Sequence, residues 1–232
     1  VCSSDLLNVG FVVTGNIRKM GERVRITAEL FDEEGAQHWN QRFDATMADL
    51  YEREDRIVEL IAGGVTLASE TFLHNRAFDI PEDDLGPWGL FFKADATYRQ
   101  NTAAAYIDGI KIVKRAIELD PIEPTFAGGC AFWLGNNVMQ GFSHDREKDT
   151  NEAKRLAEFA ARSNKTYPLM MAAHTFGFLG DHARAVALAR RAYDTASRWV
   201  PLKNVYTMRL LYSGDARSSD RKSRRLKSSH LV

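Results

Sequence analysis

Alanines at positions 153, 157 and 160 are followed about 32 residues later by Ala185 and Ala192, and this recurrence of small residues constrains the chain more than any other feature. Spacings of three, four and seven place each set on one face of a helix, where small side chains let a second helix approach closely. Helical periodicity runs from Trp88 to Gln100, Thr102 to Leu119, Pro124 to Met139, Thr150 to Ser163, Pro168 to Leu179 and His182 to Ser197, with no strand-like alternation between these segments. Short breaks between them predict three antiparallel helix pairs, each too small to bury its own apolar face and therefore stacked on the next.

Several residues within these pairs sit where a known repeat has them. Ala173 and Phe176 in a first helix, Gly180 at the turn, Ala185 and Ala192 in the second helix, and RAIELDP at Arg115 to Pro121 resemble the tetratricopeptide repeat of about 34 residues. The chain departs from that pattern at Gly109, where alanine is expected, at the long polar connection from His144 to Asp149, and at Ser197, which stands in place of proline. The resemblance implies a concave groove lined by the first helix of each pair. On this alignment the groove positions are Phe132, Asn136, Tyr167, Met170, His174 and Phe178. Aromatic and methionine side chains there suit an extended or helical peptide from a partner protein. The competing reading buries them against a neighbouring hairpin.

Ahead of the helices the pattern is different. Phe11 to Arg18 is apolar and β-branched, Met20-Gly21-Glu22 makes a turn, and Val24, Ile26, Ala28 and Leu30 then alternate with Arg25, Thr27 and Glu29. A second turn at Glu33-Glu34-Gly35 leads to alternation of Gln37, Trp39, Gln41 and Phe43 with His38, Asn40 and Arg42. A period of two with tight turns predicts a three-stranded antiparallel meander. Thr46 and Asp49 have the spacing of a capping box, and Leu50, Ile57, Ile61, Val65, Ala68 and Phe72 recur on one side of a helix of about six turns that should cover the sheet. Gly63-Gly64 inside it marks a kink or a close approach. Glu52 and Arg56, four apart, read as a solvated self-paired face.

The stretch VVTGNIRKMGERVRITAELFDEEGAQHWNQRFDATMADLYEREDRI is similar to the end of the TolB-like amino-terminal domain of bacterial signalling proteins, over about Leu7 to Leu73. That resemblance implies further strands and helices upstream. It also implies a preceding effector, often a class III nucleotide cyclase domain or a winged-helix DNA-binding domain. The expected fold class is α+β: an incomplete α/β sheet-plus-helix domain over residues 7–78, a linker over 79–87 (DIPEDDLGP), an all-α tetratricopeptide-like solenoid over 88–213, and a disordered tail over 214–232. The ends VCSSDL, residues 1–6, and DRKSRRLKSSHLV, residues 220–232, resemble translated sequencing adapter, with Arg224 and Lys227 departing from it, and are set aside from fold reasoning.

Composition narrows the function. The tail from Asp220 carries five basic residues and one acid, which leaves Leu7 to Ser219 with a balance of about −3 and argues against a nucleic-acid surface on the folded part. Contiguous apolar runs such as Val9 to Val13 and Leu169 to Ala173 fall short of the roughly 20 residues needed to cross a bilayer, so a cytoplasmic chain without membrane contact is expected. Cys2 and Cys130 form no disulfide framework. No P-loop, GxGxxG, HExxH, GxSxG or kinase signature occurs, and Gly128-Gly129-Cys130 lies inside a predicted helix with no lysine after it. Catalytic residues, cofactor and metal are therefore expected to be absent. The chain reads as a non-catalytic interaction or regulatory segment of a multidomain signalling protein; the alternative is the accessory region of a class III adenylate or guanylate cyclase whose catalytic domain lies upstream.

Overall fold

A computed structural model describes residues 10–195, 206, 208, 209 and 212–214, with the side chains of 49 and 51–55 outside the description. The adapter-like ends, residues 215–232 of the expected tail, Ser197 and the Glu52 side chain therefore lie outside the described residues. The class is α+β, a three-stranded antiparallel sheet and a long helix followed by antiparallel helical hairpins. Two compact units divide between Asp79 and Ile80.

In the first unit, β1 (Phe11–Met20), β2 (Arg23–Asp32) and β3 (Gln37–Thr46) pair in the order β1-β2-β3. Gly21, at φ 64, opens the two-residue turn between β1 and β2, the positive φ that such hairpins require. The second turn is held by Asp32. Its carboxylate accepts from the backbone N–H of Glu34 and of Ala36, each at 2.9 Å, and lies 2.6 Å from His38 Nε2. These bonds, that of His38 foremost, hold the buried Asp32 carboxyl below its ordinary range. Val24, Ala28 and Leu30 are buried on the face that alternation assigns to them.

Helix α1 (Met47–Asp79) runs 33 residues, about nine turns where about six were expected. Its apolar period fades after Phe72, but the extension is tied to the sheet, with Arg76 Nη1 2.8 Å from Glu33 Oε1. Phe72 meets Phe11 and His38 edge-on, at 5.3 and 4.4 Å between ring centres. The helix passes through Gly63-Gly64 unbroken, and the close approach there is of a side chain: a Cβ on Gly64 would lie 2.5 Å from the Trp39 ring, while one on Gly63 meets nothing. Continuity also gives Arg56–Asp79, 24 residues containing an 18-residue stretch of mean hydropathy 1.2, the length and composition to cross a membrane, a property that counting contiguous apolar runs passes over.

The second unit opens on a turn of 3-10 helix, Glu82–Asp84, within the acidic segment read as a linker. That segment sits on the helices: Leu85 is buried, Ile80 packs against the core, and Arg115 pairs with Glu82 and Asp83. Helices α2 (Pro87–Tyr98), α3 (Ala103–Leu119), α4 (Pro124–Gln140), α5 (Arg146–Ala161), α6 (Thr166–Phe178) and α7 (His182–Thr195) follow. Pro87 and Pro124 begin α2 and α4, where no intrahelical N–H is lost, and Thr102 caps α3 by accepting from the N–H of Ala105. Helix α5 begins four residues before the expected Thr150. Asp145 caps it by accepting from Lys148 N–H, and Glu147 and Asp149 in its first turn complement the helix dipole.

The pairs are α2 with α3, α4 with α5 and α6 with α7, and α4 also packs on α6. Ala153, Ala157, Ala160, Ala185 and Ala192 are all fully buried at the crossings. Gly109 is a closer crossing still, since a Cβ there would lie 3.0 Å from the Ala94 carbonyl oxygen. Helix α4 is the centre of the unit, with 12 of its 17 residues buried, including Phe126 and Trp133. Truncating either ring to alanine would cost about 3–5 kcal/mol.

Candidate functional site

The six residues that the repeat alignment places in the groove lie on α4 and α6, and the structure sorts them into three groups. Phe132 is on α4; His174 and Phe178, four apart, follow each other along α6. The Phe132 ring lies 5.5 Å from His174 and 5.6 Å from Phe178, and His174 lies 5.9 Å from Phe178, so the three form one half-buried aromatic cluster bridging two first helices. Asn136, one turn beyond Phe132, donates from Nδ2 to the hydroxyl of Tyr98 on α2. Tyr98 in turn stacks on Trp133 at 5.2 Å and approaches Phe132 at 6.4 Å, and burial pushes its phenol up to about 12. Asn136 thus joins the cluster through α2.

Tyr167 and Met170 are placed elsewhere. The Tyr167 ring is half-buried edge-on to Phe91, 6.0 Å away, and Met170 is 7% exposed within the core. Helical spacing puts Met170 on the face of His174, but the inner end of that face is covered by neighbouring hairpins.

One residue that the sequence reading left out completes the cluster. Arg209, in a helical turn beyond α7 with Tyr206, Met208 and Tyr212, is 4% exposed. Its Nη2 lies 3.0 Å from His174 Nδ1, and its guanidinium carbon lies 5.5 Å from the centre of the Phe178 ring and 5.6 Å from that of Tyr212. Arginine only donates, so Nδ1 of His174 accepts and the ring proton belongs on Nε2. Burial, and secondarily the Arg209 charge, pushes His174 down to about 4, which keeps the imidazole neutral as this bond requires. The helical spacing of Tyr206, Arg209 and Tyr212 was a visible signal. What it could not give was the partner on α6.

Elsewhere the described residues offer little chemistry. They contain no group of three His, Cys, Asp or Glu that could hold a metal ion. Cys130 is buried in α4 with its thiol pushed up to about 12 by burial, and Gly128-Gly129-Cys130 is helix. The cluster on α4 and α6 presents aromatic surface and one cation.

No family model matches the chain. Over 116 residues, 50% of the chain, it is 22% identical to the protein named "Putative adenylate cyclase 3" of Rhizobium meliloti (strain 1021). The match covers 20% of that relative, so the chain spans about a fifth of its length. Among solved structures, "MamA RS-1 ArsTM double mutant" superposes with a TM-score of 0.46 and 12% identity, covering 77% of this chain and 93% of that one.

Proposed function

We propose that the helical unit is a protein-interaction module that binds a peptide or helix of a partner along Phe132, Asn136, His174 and Phe178, and that it serves a bacterial multidomain signalling protein as a non-catalytic regulatory segment. The observation that carries this reading is the cluster itself. Three aromatic rings contributed by consecutive first helices, half-buried and linked by Asn136 to Tyr98, make a surface that can anchor apolar side chains, while the described residues supply no reacting group. The experiment is to identify a partner by pull-down with the full chain and to measure its affinity for Phe132→Ala and Phe178→Ala. Truncating such an anchor should cost about 2 kcal/mol, a roughly thirtyfold loss. Unchanged affinity in both variants removes the groove from consideration.

A second reading, in which this chain is an accessory region of a nucleotide cyclase, is favoured by the 116-residue match to a relative of that name. The first unit would then be the end of a TolB-like domain and the effector a separate domain, cyclase or winged helix. In both readings the chain, incubated with ATP or GTP and a divalent metal, should form no cyclic nucleotide above a heat-treated control. Turnover would overturn the module.

A further inference from the structure

The face of the sheet turned away from α1 gathers positive charge at one end. Strand register puts Met20, Arg23 and Thr46 in one row, Arg18, Arg25 and Asp44 in the next, and Asn16, Thr27 and Arg42 in a third. Residues two apart on a strand share a face, so these rows lie together, on the side opposite to buried Val24, Ala28 and Leu30. They hold four arginines and one acid, Asp44, while Glu22 belongs to the turn beyond them. The unit as a whole is the reverse, since residues 11–79 carry eight Lys or Arg against thirteen Asp or Glu. Asp44 is already taken: Arg25 Nε lies 2.7 Å from its Oδ1 and Nη2 3.4 Å from Oδ2, with Arg42 Nε 3.7 Å from Oδ2. Arg18 and Arg23 are exposed, and their side chains make no hydrogen bond or ion pair with another described residue. Arg18 stands directly across from Arg25, and like charges in that relation destabilise a sheet. An anion laid over the row would turn that repulsion into attraction.

We infer that this end of the open face is a phosphate-chain site, holding two or more linked phosphoryl groups on Arg18, Arg23, Arg25 and Arg42. Strand spacing and rise place Arg18, Arg23 and Arg42 all within about 9 Å of Arg25, so their side chains can converge over it. Each guanidinium offers a planar fork of donors that matches phosphate oxygens. One isolated phosphate leaves most of the excess charge unmet, whereas a short chain of linked phosphoryl groups brings several negative charges into the same span. Asn16 and Thr27 in the third row add neutral donors. The three rows carry no aromatic ring on which bases could stack, which favours a phosphate chain over a single-stranded nucleic acid. The chain is either free or the tail of a nucleotide, which have the same chemistry at the arginines.

The test titrates the full chain, labelled with 15N, with tripolyphosphate and orthophosphate at matched ionic strength while the arginine Nε–H signals are followed. Tripolyphosphate should saturate with a dissociation constant on the order of 0.1 mM at about 20 mM salt, and about tenfold weaker at about 300 mM because the arginines are open to screening. Orthophosphate, which spans fewer of the forks, should bind about tenfold more weakly. Arg18→Gln and Arg23→Gln remove exposed side chains without a partner, so each should melt no lower than wild type while weakening tripolyphosphate about tenfold. Lys19→Gln is the control. It removes the same charge from the next residue, whose side chain lies on the other face of β1, and should leave affinity within about twofold. No saturation by tripolyphosphate, or equal losses in Lys19→Gln and Arg18→Gln, overturns the site; orthophosphate binding as tightly as tripolyphosphate overturns its assignment to linked phosphoryl groups. A single-stranded oligonucleotide that displaces tripolyphosphate and gains affinity with each added nucleotide overturns it in favour of nucleic acid. ATP separates the two sources: binding tighter than that of tripolyphosphate assigns the site to nucleotides, equal or weaker binding assigns it to the free chain, and either result upholds the phosphate-chain site.

Discussion

A Cβ on Gly177 would overlap Nη1 of Arg209, so the lack of a side chain at that one position of α6 is what admits the guanidinium to His174. Gly177→Ala should therefore expel Arg209 with little change to α6 itself, because alanine favours a helix interior over glycine by about 1 kcal/mol. The imidazole loses a neighbouring positive charge and gains water, and both changes move its titration upward from about 4. Following the His174 ring signals against pH in wild type and Gly177→Ala checks this; identical midpoints would mean that Arg209 does not sit there.

The same histidine sets a pH window for stability. Its folded-state pKa is about 4 against an ordinary 6.5, so below 6.5 the unfolded chain takes up a proton that the folded chain refuses. The stabilisation is complete above about pH 6.5, falls as pH drops towards 4 and is then flat, amounting to about 3 kcal/mol at most. Asp32 and Glu123, held below their ordinary carboxyl range, release their contributions only at lower pH. Urea midpoints between pH 7 and 4.5 should slope in wild type and be flatter in His174→Gln.

In the first unit, two adjacent glycines should respond in opposite directions. A Cβ on Gly64 meets the Trp39 ring at 2.5 Å, whereas one on Gly63 meets nothing. Gly64→Ala must move a ring packed between helix and sheet and should cost about 1–3 kcal/mol. Gly63→Ala gains helix propensity without a clash and should stabilise by about 0.5–1 kcal/mol. Urea unfolding followed at the β3 amide signals gives both values. Equal effects would mean that α1 does not lie on Trp39.

How far these features could be read in the sequence depended on whether the deciding interaction was local. Val24, Ala28 and Leu30 announce their buried face by alternation, and Gly21 and Gly35 mark turns that need positive φ. The alanines at the helix crossings were legible because a small residue there meets the same need in every hairpin. The true length of α1 was not, since its last two turns are tied down by Arg76 and Glu33, which are far apart in the chain. The start of α5 is hidden in the sequence because Asp145 lies in a polar run that looks like a loop until its capping bond is seen. In the candidate site, spacing places Met170, His174 and Phe178 on one face of α6, but depth along that face depends on where α4 and Arg209 lie. Only tertiary packing decides that.

That difference in depth gives the last prediction. Met170 is enclosed within the core and Tyr167 stands edge-on to Phe91, while Phe132 and Phe178 border the half-buried cluster. Met170→Ala should leave a cavity and cost about 2–5 kcal/mol. Tyr167→Ala should behave in the same way, to a smaller extent because the ring is only half-buried. Ala185→Leu forces a larger side chain into a fully buried crossing and should destabilise by about 1–3 kcal/mol through overpacking. These three variants should lower the melting temperature while keeping partner affinity per folded molecule. Phe178→Ala should do the opposite, losing affinity out of proportion to stability. The measurement is a melting temperature and an affinity for each variant. If Phe178→Ala falls in with Met170→Ala on both axes, the ring is core, and the groove as drawn across α4 and α6 does not bind a partner.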